Sequence, residues 1–507
     1  MSFSKKTHFL QNLAAIERVL SPQHTVMPEA IEILKKYTGF GALKCVLLPA
    51  ETEEDKRHWS KSELELFPLV QELHRIVRNN TGNEQEYKEH INSIKNSVLT
   101  AFYTPTEIVK TVAGSLSEAG IQAKSILDPS AGAGQFVQDF KAVFPQSNIV
   151  AYEKDIITGK ILQRLYPNEK IYAAGFETVP ASNNGHFDII TSNIPFGDIA
   201  VPDTAFHLSK DPARQMAARH IHNYFFLKGI DTLREGGILA FISSQGVADA
   251  PANKSIREWL MHNADLISAI RLPNNLFLEN AGTEAGSDLI VLQKNTQKTA
   301  LSDNEKLFIE NTQTKSGIGI NKYIYNRVNL IFTDVKTGTD MYGKTAIILI
   351  HNGGVPGIAE DLGKNLARDF SERLNLDLYR QHVPASQIAM VPAVVNQELS
   401  KQQPPSSEPL LTLYDLFGLS PQERSQVNRP KRNAIKQAPP VQPTPVQIPQ
   451  PTKYTGKIDK YHKPGTLVKN EQEVGVLSVD ESDNFFFNPL STQDKDKTTR
   501  YIDVRDA

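Results

Sequence analysis

Two phrases decide the fold: Ser125-Ile126-Leu127-Asp128-Pro129-Ser130-Ala131-Gly132-Ala133-Gly134-Gln135-Phe136 and, further along, Phe187-Asp188-Ile189-Ile190-Thr191-Ser192-Asn193-Ile194-Pro195-Phe196-Gly197-Asp198. Each is a short apolar run ending in turn residues, the pattern of a buried strand. The first turn holds small residues and two glycines and opens a helix. Backbone N–H groups stay free at the helix start, and a ligand can approach the backbone closely. The second strand delivers an amide, a proline-stiffened turn and an aromatic ring, a set suited to gripping a planar polar group. In an open α/β sheet, ligands bind at the carboxyl ends of the strands, where both phrases place their polar residues.

Outward from these phrases, strands and helices alternate over residues 101–297. Apolar strand candidates fall at 125–127, 149–152, 171–174, 187–192, 238–243, 266–272 and 289–292. Seven such strands predict a doubly wound α/β domain. The Pro/Asn/Gly-rich connection 273–287 suits a hairpin-like ending. Residues 1–100 read as a helical N-terminal region, because Phe9, Leu13, Ile16 and Leu20, and later Leu66, Leu69, Leu73 and Ile76, recur at helical spacing. Between them Tyr37-Thr38-Gly39-Phe40-Gly41-Ala42-Leu43 reads as a helix C-cap and turn. Residues 298–385 form a mixed α/β accessory region. Residues 386–465 shift to Pro, Gln and Ser and read as a disordered Pro-rich linker. Within it, Leu410 to Phe417 suits either a short docking helix or a local apolar cluster. Residues 466–507 form a small β-rich tail with a strand-like run at 474–479.

The chain has 507 residues and a formal net charge of −2, so nucleic-acid binding has to come from local basic patches and not from a global field. Cys45 is the single cysteine, which excludes an intramolecular disulfide and a cysteine-based metal site. No run is apolar for long enough to span a membrane. The opening Met-Ser-Phe-Ser-Lys-Lys lacks the apolar core of a secretion signal, so a cytoplasmic location is expected.

Asp128 to Phe136 resembles motif I of S-adenosylmethionine-dependent N6-adenine DNA methyltransferases. Asn193-Ile194-Pro195-Phe196 resembles their Asn-Pro-Pro-Phe/Tyr catalytic motif, with Ile194 in place of the first proline. Phe102-Tyr103-Thr104-Pro105 resembles the motif that closes over the methionine end of the cofactor. This order is similar to the gamma-type class. More closely, roughly residues 25 to 300 resemble the methylase portion of large methylase–helicase proteins of phages and conjugative elements. The resemblance implies the seven-stranded, Rossmann-like methyltransferase fold and S-adenosyl-L-methionine as cofactor. Tyr103, Thr104, Pro105, Asp128, Pro129, Ser130, Ala131, Gly132, Gly134 and Phe136 are then the expected cofactor-binding residues. Glu153, ending the second strand, would take the ribose hydroxyls. Glu177, after the third, is either near the adenine or a solvated acid. Asn193 and the Ile194 carbonyl would accept the two hydrogens of an exocyclic amine, turning its lone pair towards the methyl group. Pro195 would stiffen the turn, and Phe196 would stack on a base rotated out of the duplex. Thr283 and Asp288 lie in a stretch resembling a late motif beside that pocket. In the methylase–helicase proteins a phrase like the final residues here leads on to a helicase; this chain stops at Ala507, so no helicase activity is expected of it.

Several residues have plainer readings. Thr104 and Pro105 also suit a helix entry, as N-cap and first helical residue. Gly338 to Thr345 fits the Walker A pattern, but the strand-like run after it predicts a hairpin, because a phosphate loop needs a helix next. His220-Ile221-His222 reads as a helix start in preference to a metal site, and no metal is expected. Lys210, Arg214 and Arg219 follow the catalytic turn and are the expected DNA contacts. Arg424, Arg429, Lys431, Arg432 and Lys436 form a basic run in the linker suited to phosphates. The expected partners are double-stranded DNA and a helicase or other mobile-element proteins. Three readings stay open: an adenine-specific DNA methyltransferase, a methyltransferase for RNA or a protein amide, and a weakly active DNA-binding module of a defence or counter-defence system.

Overall fold

The computed structural model describes residues 4–21, 28–41, 43–100, 104–197, 199–278, 284–339, 343 and 345–381, and, nearer the C-terminus, the strands at 452–453, 467–470, 473–479 and 485–489. The chain divides into two units, Met1–Ala393 and Val394–Ala507.

In the first unit seven strands make one sheet. They are β1 (Ser125–Asp128), β2 (Asn148–Tyr152), β3 (Lys170–Tyr172), β4 (Phe187–Asn193), β5 (Leu233–Ser244), β6 (Ala264–Leu272) and β7 (Ser287–Lys294), in the order β3-β2-β1-β4-β5-β7-β6. β7 runs antiparallel to both its neighbours, β5 and β6; the other pairings are parallel. The chain winds outward in opposite directions from β1 and β4, so these two flank the switch point. This is the doubly wound methyltransferase fold that the resemblance implies, and its antiparallel last strand follows the 273–287 connection.

Alternation along the strands explains why both faces are covered. Ile126 and Ile189 point into one apolar cluster, Leu127 and Ile190 into the other. A strand buried on both sides reads as a continuous apolar run, and that is why these strands were visible in the sequence. The first cluster is closed by the helices Thr106–Glu118 and Gln135–Val143 and by Gly354–Arg373, which lies against Thr106–Glu118 and β6. The second is closed by Ile221–Thr232 and Lys254–Asn263, with Phe308 and Tyr323. The region after residue 298 therefore supplies part of the cover of the sheet. It also carries two hairpins, β8 (Asn311–Gln313) with β9 (Gly319–Asn321) and β10 (Asp334–Thr339) with β11 (Thr345–Ile350). Thr339 pairs with Thr345, so the Walker-like phrase is the end of a hairpin.

The N-terminal helices Lys5–Leu20, Pro28–Leu34, Phe67–Asn79 and Glu84–Thr100 enclose a third core around Phe9, Phe40, Trp59 and Phe67. Asn12 is buried and clamps the Tyr37–Phe40 turn, its Oδ1 accepting from the Thr38 amide at 2.9 Å while its Nδ2 donates to the Gly39 carbonyl. This core also takes in Ile157 and Ile161 from the helix Ile156–Leu165, which follows β2. The second unit contains an antiparallel sheet of β12 (Thr452–Lys453), β13 (Leu467–Asn470), β14 (Glu473–Val479) and β15 (Phe485–Pro489), in the order β12-β15-β14-β13. The Pro-rich segment, Leu410 to Phe417 and the basic run 424–436 lie outside the described residues.

One buried ion pair ties the bottom of the sheet together. Asp188 at the start of β4 accepts from the Lys124 and Ser125 amides at 2.8 and 2.9 Å, and from Arg234 Nε at 2.6 Å. The Arg234 guanidinium lies 4.4 Å over the ring of Tyr379, in the helix Leu376–Gln381. Arg234→Met leaves the Asp188 charge buried without its cation, and the expected cost is about 3 kcal/mol of stability. A urea midpoint indistinguishable from wild type would contradict this.

Candidate active site

Pairing of β1 with β4 sets Ile126 beside Ile189 and Leu127 beside Ile190, so Asp128 and Ser192 end neighbouring strands. Ser192 Oγ donates to Asp128 Oδ1 at 2.8 Å and also lies 3.1 Å from the Ser130 carbonyl. The Gly-rich turn and the Asn193 turn thus meet at one edge of the sheet. The Ser130 amide completes the contacts of Asp128 Oδ1, whereas Asp128 Oδ2 is buried with no hydrogen-bond partner. Burial pushes the Asp128 carboxyl up to about 7, although both hydrogen bonds pull it down.

Glu153, just past β2, closes over the same turn. Its Oε2 accepts from the Gly132 amide at 2.8 Å and its Oε1 from the Asp155 amide at 2.7 Å. Burial, with the nearby charge of Asp155, pushes it up to about 7. Gly134 has φ +90°, and a Cβ there would lie 2.5 Å from Leu162 Cδ1 and 2.6 Å from Tyr166 Cε2, so backbone conformation and packing both demand glycine. Pro129 and Ala131 are buried beneath the turn, while Ser130 and Gly132 are half-buried. Phe136, expected at the cofactor, stacks on Phe140 in the core. Glu177 pairs with Lys154 at 2.8 Å. The helix after the Tyr-Thr-Pro phrase begins at Thr106 with Pro105 as its N-cap, one residue later than the sequence suggested, because the Pro105 carbonyl takes the first amide bonds. Thr104 Oγ1 is buried with no partner, and Tyr103 lies outside the described residues.

Ile194 explains its own departure from a proline. Its amide donates to the Ile242 carbonyl at 2.9 Å, extending the contact of β4 with β5 by a bond that proline cannot make. The Ile194 side chain is buried, Pro195 is half-buried, and the Phe196 ring is 3% exposed, meeting Phe277 edge-on at 6.4 Å. Beyond Gly197 opens a cleft of about 940 Å³, lined among others by His220, Gln245, Asp249, Arg271 and the β10–β11 hairpin. His220 caps the helix Ile221–Thr232, and among the described residues no group of three or more His, Cys, Asp or Glu is placed to hold a metal.

Arg271 in that cleft went unnoticed in the sequence. Its Nε and Nη2 donate to Asp288 at 2.8 and 2.9 Å, and its Nη1 pairs with Asp249 at 2.8 Å. Burial opposes its charge, but the two carboxylates outweigh burial and hold its pKa above the ordinary value. Asp249 also accepts from the Asn321 amide, so one guanidinium joins the sheet to the β8–β9 hairpin. Thr283 lies outside the described residues. Of the expected DNA contacts, Lys210 and Arg219 are exposed. Arg214 is engaged instead, paired through both terminal nitrogens with Asp231 and set over the rings of Phe206 and Trp259.

A family model described as N-6 DNA Methylase matches residues 89–348. Defense against restriction protein B of Escherichia phage P1 is 28% identical over 203 residues, which is 40% of this chain and 9% of the length of that protein. Among solved structures, the M protein of the type I restriction enzyme EcoKI shares 14% identity with a TM-score of 0.33, covering 72% of this chain and 94% of the other. The type I restriction-modification methyltransferase subunit from Streptococcus thermophilus shares 16% identity with a TM-score of 0.34, covering 63% and 74%. Those overlays are loose, and the strand order assigns the fold without them. No helix among the described residues is long and apolar enough to cross a membrane.

The raised acids carry a sign. Between pH about 4 and about 7 the folded protein holds protons on Asp128 and Glu153 that the unfolded chain has lost. Their contribution to stability therefore falls as pH rises through that window. Asp128→Asn, which removes a buried charge with an unbonded oxygen, is expected to stabilise the free protein at pH 8 by about 2 kcal/mol and to flatten that slope. Chemical denaturation at pH 5 and pH 8 checks it; a variant less stable than wild type at pH 8 would contradict it.

Proposed function

The chain belongs to the N-6 DNA Methylase family, and from that premise we propose that it transfers a methyl group from S-adenosyl-L-methionine to the N6 amine of adenine in double-stranded DNA. The observation that carries the reading is the Ser192–Asp128 hydrogen bond, which joins a cofactor-type turn to an amine-gripping turn. The residues fit the cofactor. Asp128 Oδ2 is buried and lacks the donor that a methionine ammonium would supply. Glu153 already accepts from a backbone amide over the turn and has the geometry to accept ribose hydroxyls there. When bound, the cofactor supplies an electrophilic methyl on a sulfonium.

Asn193 Oδ1 and the Ile194 carbonyl accept the two hydrogens of the adenine amine and present its lone pair to that methyl. Bound there, the cofactor would supply the methyl group to the amine nitrogen with its sulfide as leaving group, and the proton would pass to solvent afterwards, so no strong base would be required. Phe196 stacks on the base only once the side chains covering its ring have moved, which makes base capture a conformational step. Lys210 and Arg219 hold phosphates beside the cleft, without reading sequence. The proposed setting is the cytoplasm, with a helicase or other mobile-element protein as partner. A second reading, a weakly active DNA-binding module of a defence or counter-defence system, draws on the covered Phe196 ring and the engaged Arg214.

Methyl-labelled S-adenosylmethionine and mixed-sequence DNA test these readings. Label in N6-methyladenine, falling at least ~100-fold in Asn193→Ala while cofactor binding persists, is the expected result. Cofactor binding without label in DNA would overturn the assignment.

A further inference from the structure

The helix Ile156–Leu165 has two working faces. Towards the cofactor turn, Leu162 and Tyr166 press against Gly134, and Tyr166 Oη donates to the Gly134 carbonyl at 3.3 Å. Towards the N-terminal region, Ile157 and Ile161 belong to the third core. The N-cap of this helix is Asp155, whose amide is held by Glu153. Asp155 Oδ1 accepts from the Thr158 amide at 2.6 Å, and its Oδ2 accepts from Ser93 Oγ at 3.0 Å. Ser93 Oγ in turn accepts from the Ile156 amide at 2.9 Å. One residue of the N-terminal helices thus satisfies both the capping carboxylate and an orphan amide of the first turn. Tyr37, from the clamped Gly-punctuated turn, adds a buried hydroxyl contact with Thr158 Oγ1 at 2.9 Å.

We propose that Ser93 and Tyr37 are positioning residues for the cofactor acid, fixing Asp155 and its helix so that Glu153 stays poised over the Gly132 amide. The N-terminal helical region then works as a brace for the cofactor cradle. Nothing in the N-terminal region need touch the ligand. The chain of contacts runs Ser93 to Asp155 to Glu153 to Gly132, with no gap longer than a hydrogen bond. The same helix backs Gly134, so one brace serves both halves of the cradle.

This inference rests on the cofactor reading above, and its test separates the two. In the full chain, Ser93→Ala loses its hydrogen bond to the Asp155 carboxylate and leaves the Ile156 amide without that acceptor, and it is expected to raise the Kd and KM for S-adenosylmethionine about tenfold. The kcat at saturating cofactor should hardly change. Ser93→Thr, which keeps the hydroxyl, should restore affinity. Lys160→Ala removes a different contact at the same boundary, Lys160 Nζ to His90 Nε2 at 3.0 Å, and should leave the Kd unchanged. Equal losses in Ser93→Ala and Lys160→Ala would overturn the assignment to Ser93, as would wild-type affinity in a folded Ser93→Ala. Hydrogen exchange without any cofactor supplies the independent readout. Faster exchange at residues 131–135 in Ser93→Ala supports the brace even if the wild-type chain fails to bind S-adenosylmethionine, a failure that would count against the cofactor reading alone. Unchanged exchange there overturns the brace.

Discussion

Parallel pairing of β1 with β4, closed by the hydrogen bond from Ser192 to Asp128, is the constraint on which the rest of the site depends. A parallel sheet that winds outward from these two strands leaves a crevice between their ends. The polar residue that terminates each strand falls into that crevice. Asp128 and Asn193 lie far apart in the chain, yet strand adjacency makes them neighbours without any specialised loop. Ser192 adds a chemical tie to the geometric one. It spends its hydroxyl on the acid of the first turn while its own backbone leads directly into the second.

The acids of this edge are held against their own charge. Asp128 and Glu153 are pushed up to about 7 by burial, and Asp155 pushes Glu153 further the same way. Desolvation disfavours the charged form of both carboxylates in the free protein. The bottom of the sheet shows the opposite arrangement: the Asp188 carboxylate meets a guanidinium and two amides.

Much of this was legible in the sequence. Buried parallel strands betray themselves as apolar runs, and Asp128 and Asn193 at their ends, with Glu153 just past one, stand where periodicity stops. The resemblance implied an antiparallel last strand, and the Pro/Asn/Gly-rich connection before β7 suited it. What stayed hidden depends on distant partners. An apolar stripe on Gly354–Arg373 predicts a buried face but does not say that the face lies on β6. The charge of Arg271 looked like any other until Asp249 and Asp288 were brought to it by two separate elements. Arg214 read as a phosphate contact because it follows the catalytic turn in the chain, whereas Asp231 claims it in the fold. Ile194 stands where the resembled motif has a proline, and its amide bonds the Ile242 carbonyl on β5.

Hydrogen exchange of the full chain with and without S-adenosylmethionine tests the central claim most directly, since that claim joins the two turns into one site. The account predicts that the cofactor protects residues 128–136 and, through Ser192, residues 192–196 as well. Protection confined to some other part of the chain, or cofactor binding that leaves both segments unchanged, would contradict it.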